Sequence, residues 1–206
     1  VYGFHFHRNM ILRLVERLDL RNITLVVQDW GGLIGLTLPV DAGFKERLSR
    51  LLVMNTTLAI GASPSPGFDA WRAFAKLNPD LNVGALMGRG TPHLTAAEIA
   101  AYDAPYPDQT YKAGARAFPE RVMTHPDMEG VAESLAAVEF WSNHWTGPAF
   151  MAVGGADMVL GPPVMDILHS KIRGCSTPML IPQGGHFLQE WGGPIAQAAL
   201  AYFGDA

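Results

Sequence analysis

The sequence predicts an α/β protein, a parallel sheet wound with helices and interrupted by a long helical insertion. Three observations carry that expectation. Short apolar or β-branched runs at Ile23 to Val27, Leu48 to Asn55, Ala149 to Val153 and Met179 to Ile181 read as strands covered on both faces. Segments of helical period separate them, giving the alternation of a doubly wound sheet. From Phe68 to about His144 no strand-like run occurs, only short helical pieces punctuated by proline and glycine.

Each element has its own reason. Phe4 to Leu18 places Ile11, Leu14, Val15 and Leu18 at helical spacing, with Arg8, Arg13, Glu16 and Arg17 on the opposite side. The polar turn Asp19-Leu20-Arg21-Asn22 then leads into the first strand. Gln28-Asp29-Trp30-Gly31-Gly32 forms a tight turn, and Leu33 to Leu38 continues as an apolar helix that stops by Pro39. After the second strand, Ala62 to Gly67 is a proline-rich loop. Within the insertion, Thr95 with Glu98 three residues on is a capping-box signature for a helix to Tyr102. Trp141 and Trp145 are expected to pack where the insertion returns to the core. Pro194 to Phe203 is the closing helix.

Composition narrows the function. The 206 residues are 49% hydrophobic, which excludes intrinsic disorder. Only 17% are charged, against about a quarter in ordinary soluble domains, so neutral surface is expected. A single cysteine, Cys175, excludes a disulfide framework and a multi-cysteine metal site. A net charge of −4 with no basic run argues against a nucleic-acid partner. No uncharged apolar stretch reaches the roughly 20 residues of a membrane span, and no signal-peptide pattern is visible. The expected setting is the reducing cytoplasm.

Three acid–base residues stand at the carboxyl ends of three predicted strands, where ligands bind in open parallel sheets. Asp29 follows the first strand, Asp157 the third and His186 the fourth. This order, with Asp29 as nucleophile, matches the nucleophile–acid–histidine order of the α/β-hydrolase core. Gly31 and Gly32 supply the small residues a strained strand-to-helix elbow needs, although Val27 stands where the serine version has glycine. Each residue has a plainer reading: Asp29 as a helix N-cap, Asp157 as a turn aspartate, His186 as an exposed loop histidine. None of the other histidines (His5, His7, His93, His125, His144, His169) has a comparable strand-end setting. A carboxylate nucleophile displaces a leaving group directly from an sp³ carbon, leaving an ester for a histidine-activated water.

The stretch from His7-Arg8-Asn9 through Asp19 to Gly32 resembles the haloalkane dehalogenases, above all the subfamily of the 1,2-dichloroethane-degrading enzyme. The likeness continues through Gly67 to Trp71, Tyr102 to Asp108, Asp157 to Pro162 and Gly185 to Glu190, essentially the whole chain. Asp-Trp-Gly alone is shared with epoxide hydrolases. The resemblance implies Asp29 as nucleophile, His186 as base and Asp157 as its acid partner. It makes Trp30 and Trp71 the halide-binding pair, and Leu33, Phe68, Phe118, Pro119, Val122, Val159 and Leu160 the apolar lining of the substrate pocket. Leu33 stands where the compared enzyme has an aromatic residue, implying a roomier pocket.

The implied substrates are small halogenated alkanes, with the halide as product and detoxification as the role. No cofactor, metal, nucleic acid or membrane is implied, and the full-length protein is expected to be a monomer. The resemblance divides the chain into a first core part (1–56), a helical cap (57–147) and a second core part (148–206). It also implies strands ahead of residue 1, so the chain is expected to be a fragment of a longer reading frame with half an oxyanion hole, the backbone N–H of Trp30. The competing functions are an epoxide hydrolase, with Tyr102, Tyr106 and Tyr111 as proton donors, and an inactive or binding-only remnant of a hydrolase.

Overall fold

In a computed structural model that describes residues 2–204, four parallel strands form one sheet in the order β1 (Ile23–Val27), β2 (Leu48–Met54), β3 (Ala149–Gly154) and β4 (Met179–Ile181). The register aligns their carboxyl ends, with Val27 opposite Val53, Val53 opposite Met151 and Val153 opposite Leu180. Alternation across the sheet splits its side chains between two cores. Val27, Leu51, Val53, Met151 and Val153 face one core, which Trp141, Trp145, Met165 and Leu168 complete. Leu52, Met54, Phe150 and Ala152 face the other, closed by Ile195 and Ala199. Burial on both faces explains why β3 and the second half of β2, residues 51–54, are continuous apolar runs.

The helices are α1 (Phe4–Arg17), α2 (Asp29–Gly35), α3 (Ala42–Lys45), α4 (Pro66–Leu77), α5 (Val83–Gly90), α6 (Ala96–Asp103), α7 (Ala113–Ala117), α8 (Val131–Glu139), α9 (Pro162–His169) and α10 (Gly192–Phe203). Between β2 and β3 the described chain is helical and contains no strand. Thr95 and Glu98 form the expected capping box at the start of α6. Trp141 is fully buried and spends its indole N–H on the carbonyl of Leu36, 2.8 Å away, tying the end of the insertion to α2. Among the described residues no helix is long and apolar enough to cross a membrane.

Three local expectations change. α2 begins at Asp29 and ends at Gly35, so the turn around the aspartate is already helix. Among the described residues β1 pairs only with β2, and Val26 is 55% exposed. Apolar composition measures affinity for a neighbour without supplying one. The face α1 buries also differs: Phe4, Arg8 and Val15 are covered, while Ile11, Leu14 and Leu18 remain exposed. Arg8 is drawn inward because α2 ends beneath it. Its guanidinium donates to the Thr37 carbonyl (3.1 Å) and hydroxyl (3.3 Å), a cation at a helix carboxyl end.

Candidate active site

All four strands deliver a polar residue to the same end of the sheet. Beyond β1, Asp29 adopts a left-handed backbone with φ of 46°, a strain on the order of 1–3 kcal/mol for a residue with a Cβ. Neighbouring backbone holds it there. The Asp29 N–H donates to the Asn55 carbonyl (3.0 Å), and the Asp29 carbonyl accepts from the Thr56 hydroxyl (2.7 Å). The glycine this contact requires is Gly32, where a Cβ would run into the Thr56 side chain; Gly31 faces open space. Val27 is accommodated because Gly35 leaves room for its Cγ1. Asp29 is not a side-chain N-cap, since Gln28 occupies that position and no side chain caps the helix.

Beyond β3, the Asp157 side chain is completely buried. One of its oxygens accepts from Asn55 Nδ2 (2.8 Å) and lies 2.9 Å from His186 Nδ1; the other accepts from the Val159 N–H (2.7 Å). Burial alone would raise this carboxyl's pKa. The hydrogen bond and charge of His186, with those two donors, outweigh it and hold the carboxyl below its ordinary value. His186 bridges the two acids, its Nε2 lying 3.3 Å from Asp29 Oδ1. Burial would lower the imidazole pKa, but its hydrogen bonds to Asp157 and Asp29 and their negative charge push it up to about 10. Gln28 Nε2 fixes the loop by donating to the His186 carbonyl (2.8 Å).

Above this triad lies a cavity of about 940 Å³, at the large end of ligand sites. The structure brings all twelve sequence-predicted residues to it: Asp29, Asp157, His186, Trp30, Trp71, Leu33, Phe68, Phe118, Pro119, Val122, Val159 and Leu160. Leu33, Phe68 and Val122 belong to one buried cluster, with Trp30, Trp71 and Val159 packed against it. Trp30 meets the Phe118 ring edge-on at 4.8 Å between centroids. Among the described residues neither the Trp30 nor the Trp71 indole N–H is spent on a protein acceptor, unlike that of Trp141. The backbone N–H of Trp30, in the first turn of α2, likewise has no acceptor there. No group of three or more His, Cys, Asp or Glu among the described residues is placed to hold a metal ion.

Comparison with known proteins agrees with this geometry. The family model for the α/β-hydrolase fold matches residues 1–193. Haloalkane dehalogenase 1 of Mycobacterium tuberculosis is 40% identical over 205 residues, 98% of this chain and 67% of that protein. The chain belongs to the haloalkane dehalogenases. A haloalkane dehalogenase of Psychrobacter cryohalolentis is 36% identical over 206 residues. The solved haloalkane dehalogenase DpaA from Paraglaciecola agarilytica NO2, described as tetrameric, superposes with a TM-score of 0.94 at 44% identity. That superposition covers 98% of this chain and 67% of DpaA. The chain thus spans about two thirds of the length of these dehalogenases.

Within this dehalogenase chain, sequence reasoning missed Asn55. It ends β2 and turns inward, and besides holding Asp157 its Oδ1 accepts from the Gly154 N–H (2.8 Å). A polar residue closing an apolar strand at its carboxyl end was the available signal. Also missed were cavity residues of the helical insertion, among them Leu81, Val83, Leu86 and Arg89, together with Phe187 beside the histidine. Their position follows from how α5 lies over the site, which no local pattern encodes.

Proposed function

We propose that this dehalogenase chain cleaves carbon–halogen bonds through an ester on Asp29, with the helices between β2 and β3 acting as the cap over its pocket. Asp29 attacks the carbon bearing the halogen from the side opposite the leaving group. The carbon–halogen bond breaks as the ester bond forms, and the halide departs with the bonding pair. The two uncommitted indole N–H groups of Trp30 and Trp71 are the donors that receive it, and a donor bonded to an anion is worth about 1.5–3 kcal/mol. That gain accrues as charge develops on the leaving atom, which makes it catalytic.

Ester formation also sets up the second step. With Asp29 and Asp157 both ionised, the imidazole is held protonated and is no base. Once Asp29 is an uncharged ester, His186 loses one of the two charges that raise its pKa and releases its proton. Neutral His186 then takes a proton from water, and the hydroxide adds to the ester carbonyl, with the Trp30 N–H facing the developing oxyanion. Collapse expels the alkoxide, which takes the remaining hydroxyl proton to become the alcohol. Asp29 returns as carboxylate beside the His186 imidazolium. Each turnover consumes haloalkane and water and yields alcohol, halide and one proton.

The observation that carries this reading is the His186 ring bonded to buried Asp157 on one nitrogen and facing Asp29 with the other. Bromide release from 1,2-dibromoethane and 1-bromobutane by the full-length protein tests it. The absence of bromide, with diol formed from an epoxide, would replace it. The epoxide reading is the weaker one in geometry, because it needs paired tyrosine donors over the nucleophile. Of its three tyrosines, Tyr102 gives its hydroxyl to Glu190 and Tyr111 is exposed; Tyr106 alone lines the cavity.

The same reading assigns Trp71 one of the two halide contacts. Trp71→Phe keeps the aromatic packing and removes the donor, so halide affinity should fall about tenfold. Bromide quenching of intrinsic fluorescence measures it, and unchanged affinity would remove Trp71 from the halide site. The apolar lining suits small halogenated alkanes, and a cytoplasmic setting fits such freely diffusing substrates. The tetramer described for the Paraglaciecola dehalogenase argues for self-association of the full-length protein rather than the monomer expected from sequence.

A further inference from the structure

The loop that carries His186 is gripped from above by the cap. At the end of α5, Gly90 lies so close that a Cβ there would press on the Phe187 ring at 3.0 Å, and a Cβ on Gly185 would meet the Gly90 carbonyl at 2.5 Å. His93 reaches the Glu190 carbonyl with its Nε2 (3.1 Å) and packs edge-on against Trp191 at 4.6 Å. On α6, the Tyr102 hydroxyl donates to the Glu190 carboxylate, four residues beyond the histidine. α6 is itself tied to α5, since Asp103 Oδ1 accepts from the Gly84 N–H (2.8 Å). Beneath the loop, the core holds it through the Gln28 bond to the His186 carbonyl, the Asp157 contact to the His186 ring, the Ala156 N–H donating to the Gly184 carbonyl (2.9 Å) and the buried Leu188 side chain, and the cap contacts grip it from the opposite side.

We propose that Tyr102 and Glu190 are positioning residues for the ester-hydrolysis step, a latch through which the cap holds the His186 loop in register with Asp29. The inference rests on the reading of His186 as the base. Alkylation requires only Asp29 and the halide donors, so the latch leaves it untouched. Hydrolysis requires a water between the imidazole and the ester carbonyl, and displacing a catalytic group by about 1 Å can cost as much as a hundredfold. Tyr102 is suited to a permanent link. Its burial, reinforced by Glu190, raises the hydroxyl pKa above its ordinary value, so it stays a donor across the working range. Glu190 lies outside the residues that line the cavity, so its part is to hold rather than to touch substrate.

Rapid-quench measurement with 1,2-dibromoethane on the full chain separates the two steps, with bromide reporting alkylation and intact-protein mass the fraction of Asp29 ester. In Tyr102→Phe, first-turnover bromide release is expected at the wild-type rate while ester hydrolysis slows about tenfold, so the esterified fraction rises at steady state. Glu190→Leu should behave alike, and Glu190→Gln, which keeps a carbonyl acceptor, should restore most of the hydrolysis rate. A general loss of structure would depress both steps together. Parallel slowing, an unchanged hydrolysis rate, or failure of Glu190→Gln to recover would each overturn the latch. His186→Phe, run alongside, distinguishes the two readings: an ester trapped there, with no rise in the esterified fraction of Tyr102→Phe, sinks the latch alone. No ester in His186→Phe sinks the base assignment, and the latch with it.

Discussion

Replacing His186 with phenylalanine should leave a protein that takes one equivalent of haloalkane and stops. The first displacement needs only the Asp29 carboxylate and the donors for the departing halide. The ester that forms has no base to activate water, so turnover should fall by about 10²–10⁴-fold, while a burst of bromide matching the enzyme concentration survives. Intact-protein mass after exposure to 1,2-dibromoethane should show a bromoethyl adduct, and digestion should place it on Asp29. Phenylalanine suits this test because the ring position is kept while both nitrogens are lost. Asp157 then loses its largest ionic partner but keeps Asn55 and the Val159 amide, so the fold is expected to survive. A protein with full-rate turnover, or with the adduct on another residue, would refute the assignment.

Asp29→Asn should abolish turnover, by at least about 10⁴-fold on the scale of lost nucleophiles, and should change the titration of a residue it does not replace. In the unaltered protein His186 titrates near pH 10 because Asp157 and Asp29 both favour the imidazolium. Removing the Asp29 charge leaves burial, which disfavours the cation, opposed by Asp157 alone, so the midpoint should move down. NMR of the histidine ring read against pH checks both values. The same coupling acts on stability. An unfolded histidine titrates near 6.5, so below that pH the ion pair contributes in full. Its contribution is lost as pH rises through 10. Thermal midpoints of the unaltered protein should therefore fall between pH 7 and pH 10 more steeply than those of Asp29→Asn. Identical pH dependence in the two proteins would show that the His186–Asp29 contact is not ionic.

The sheet and the placement of Asp29, Asp157 and His186 at its carboxyl ends were legible in the sequence because both are written locally. An apolar run such as Leu51-Leu52-Val53-Met54 has few ways to be satisfied except between two packed layers, and the residue after such a run falls where ligands bind. The lining of the pocket was legible only through resemblance, since Phe118 or Val159 has no pattern distinguishing a cavity wall from ordinary packing. What escaped reading depends on which surfaces meet. Arg8 looked like a solvent-facing charge until the end of α2 was placed beneath it. Ile11, Leu14 and Leu18 have the spacing of a buried face, yet the described chain packs α1 through Phe4, Arg8 and Val15. Asn55 looked like the end of a strand. Only the neighbouring strand shows that its amide is shared between the Gly154 backbone and the Asp157 carboxylate.

The delivery of one residue by each strand has a consequence for how the centre comes into being. The bond from Asn55 to Asp157 spans 102 positions of sequence, and that from Gln28 to the His186 carbonyl spans 158. Contacts so distant along the chain form only after most of the loop-closure entropy has been spent, which places them among the late events of folding. No two consecutive strands deliver three of Asp29, Asn55, Asp157 and His186. Ester hydrolysis, which draws on groups from all of these strands, is then the step expected to fail first in a partly ordered chain.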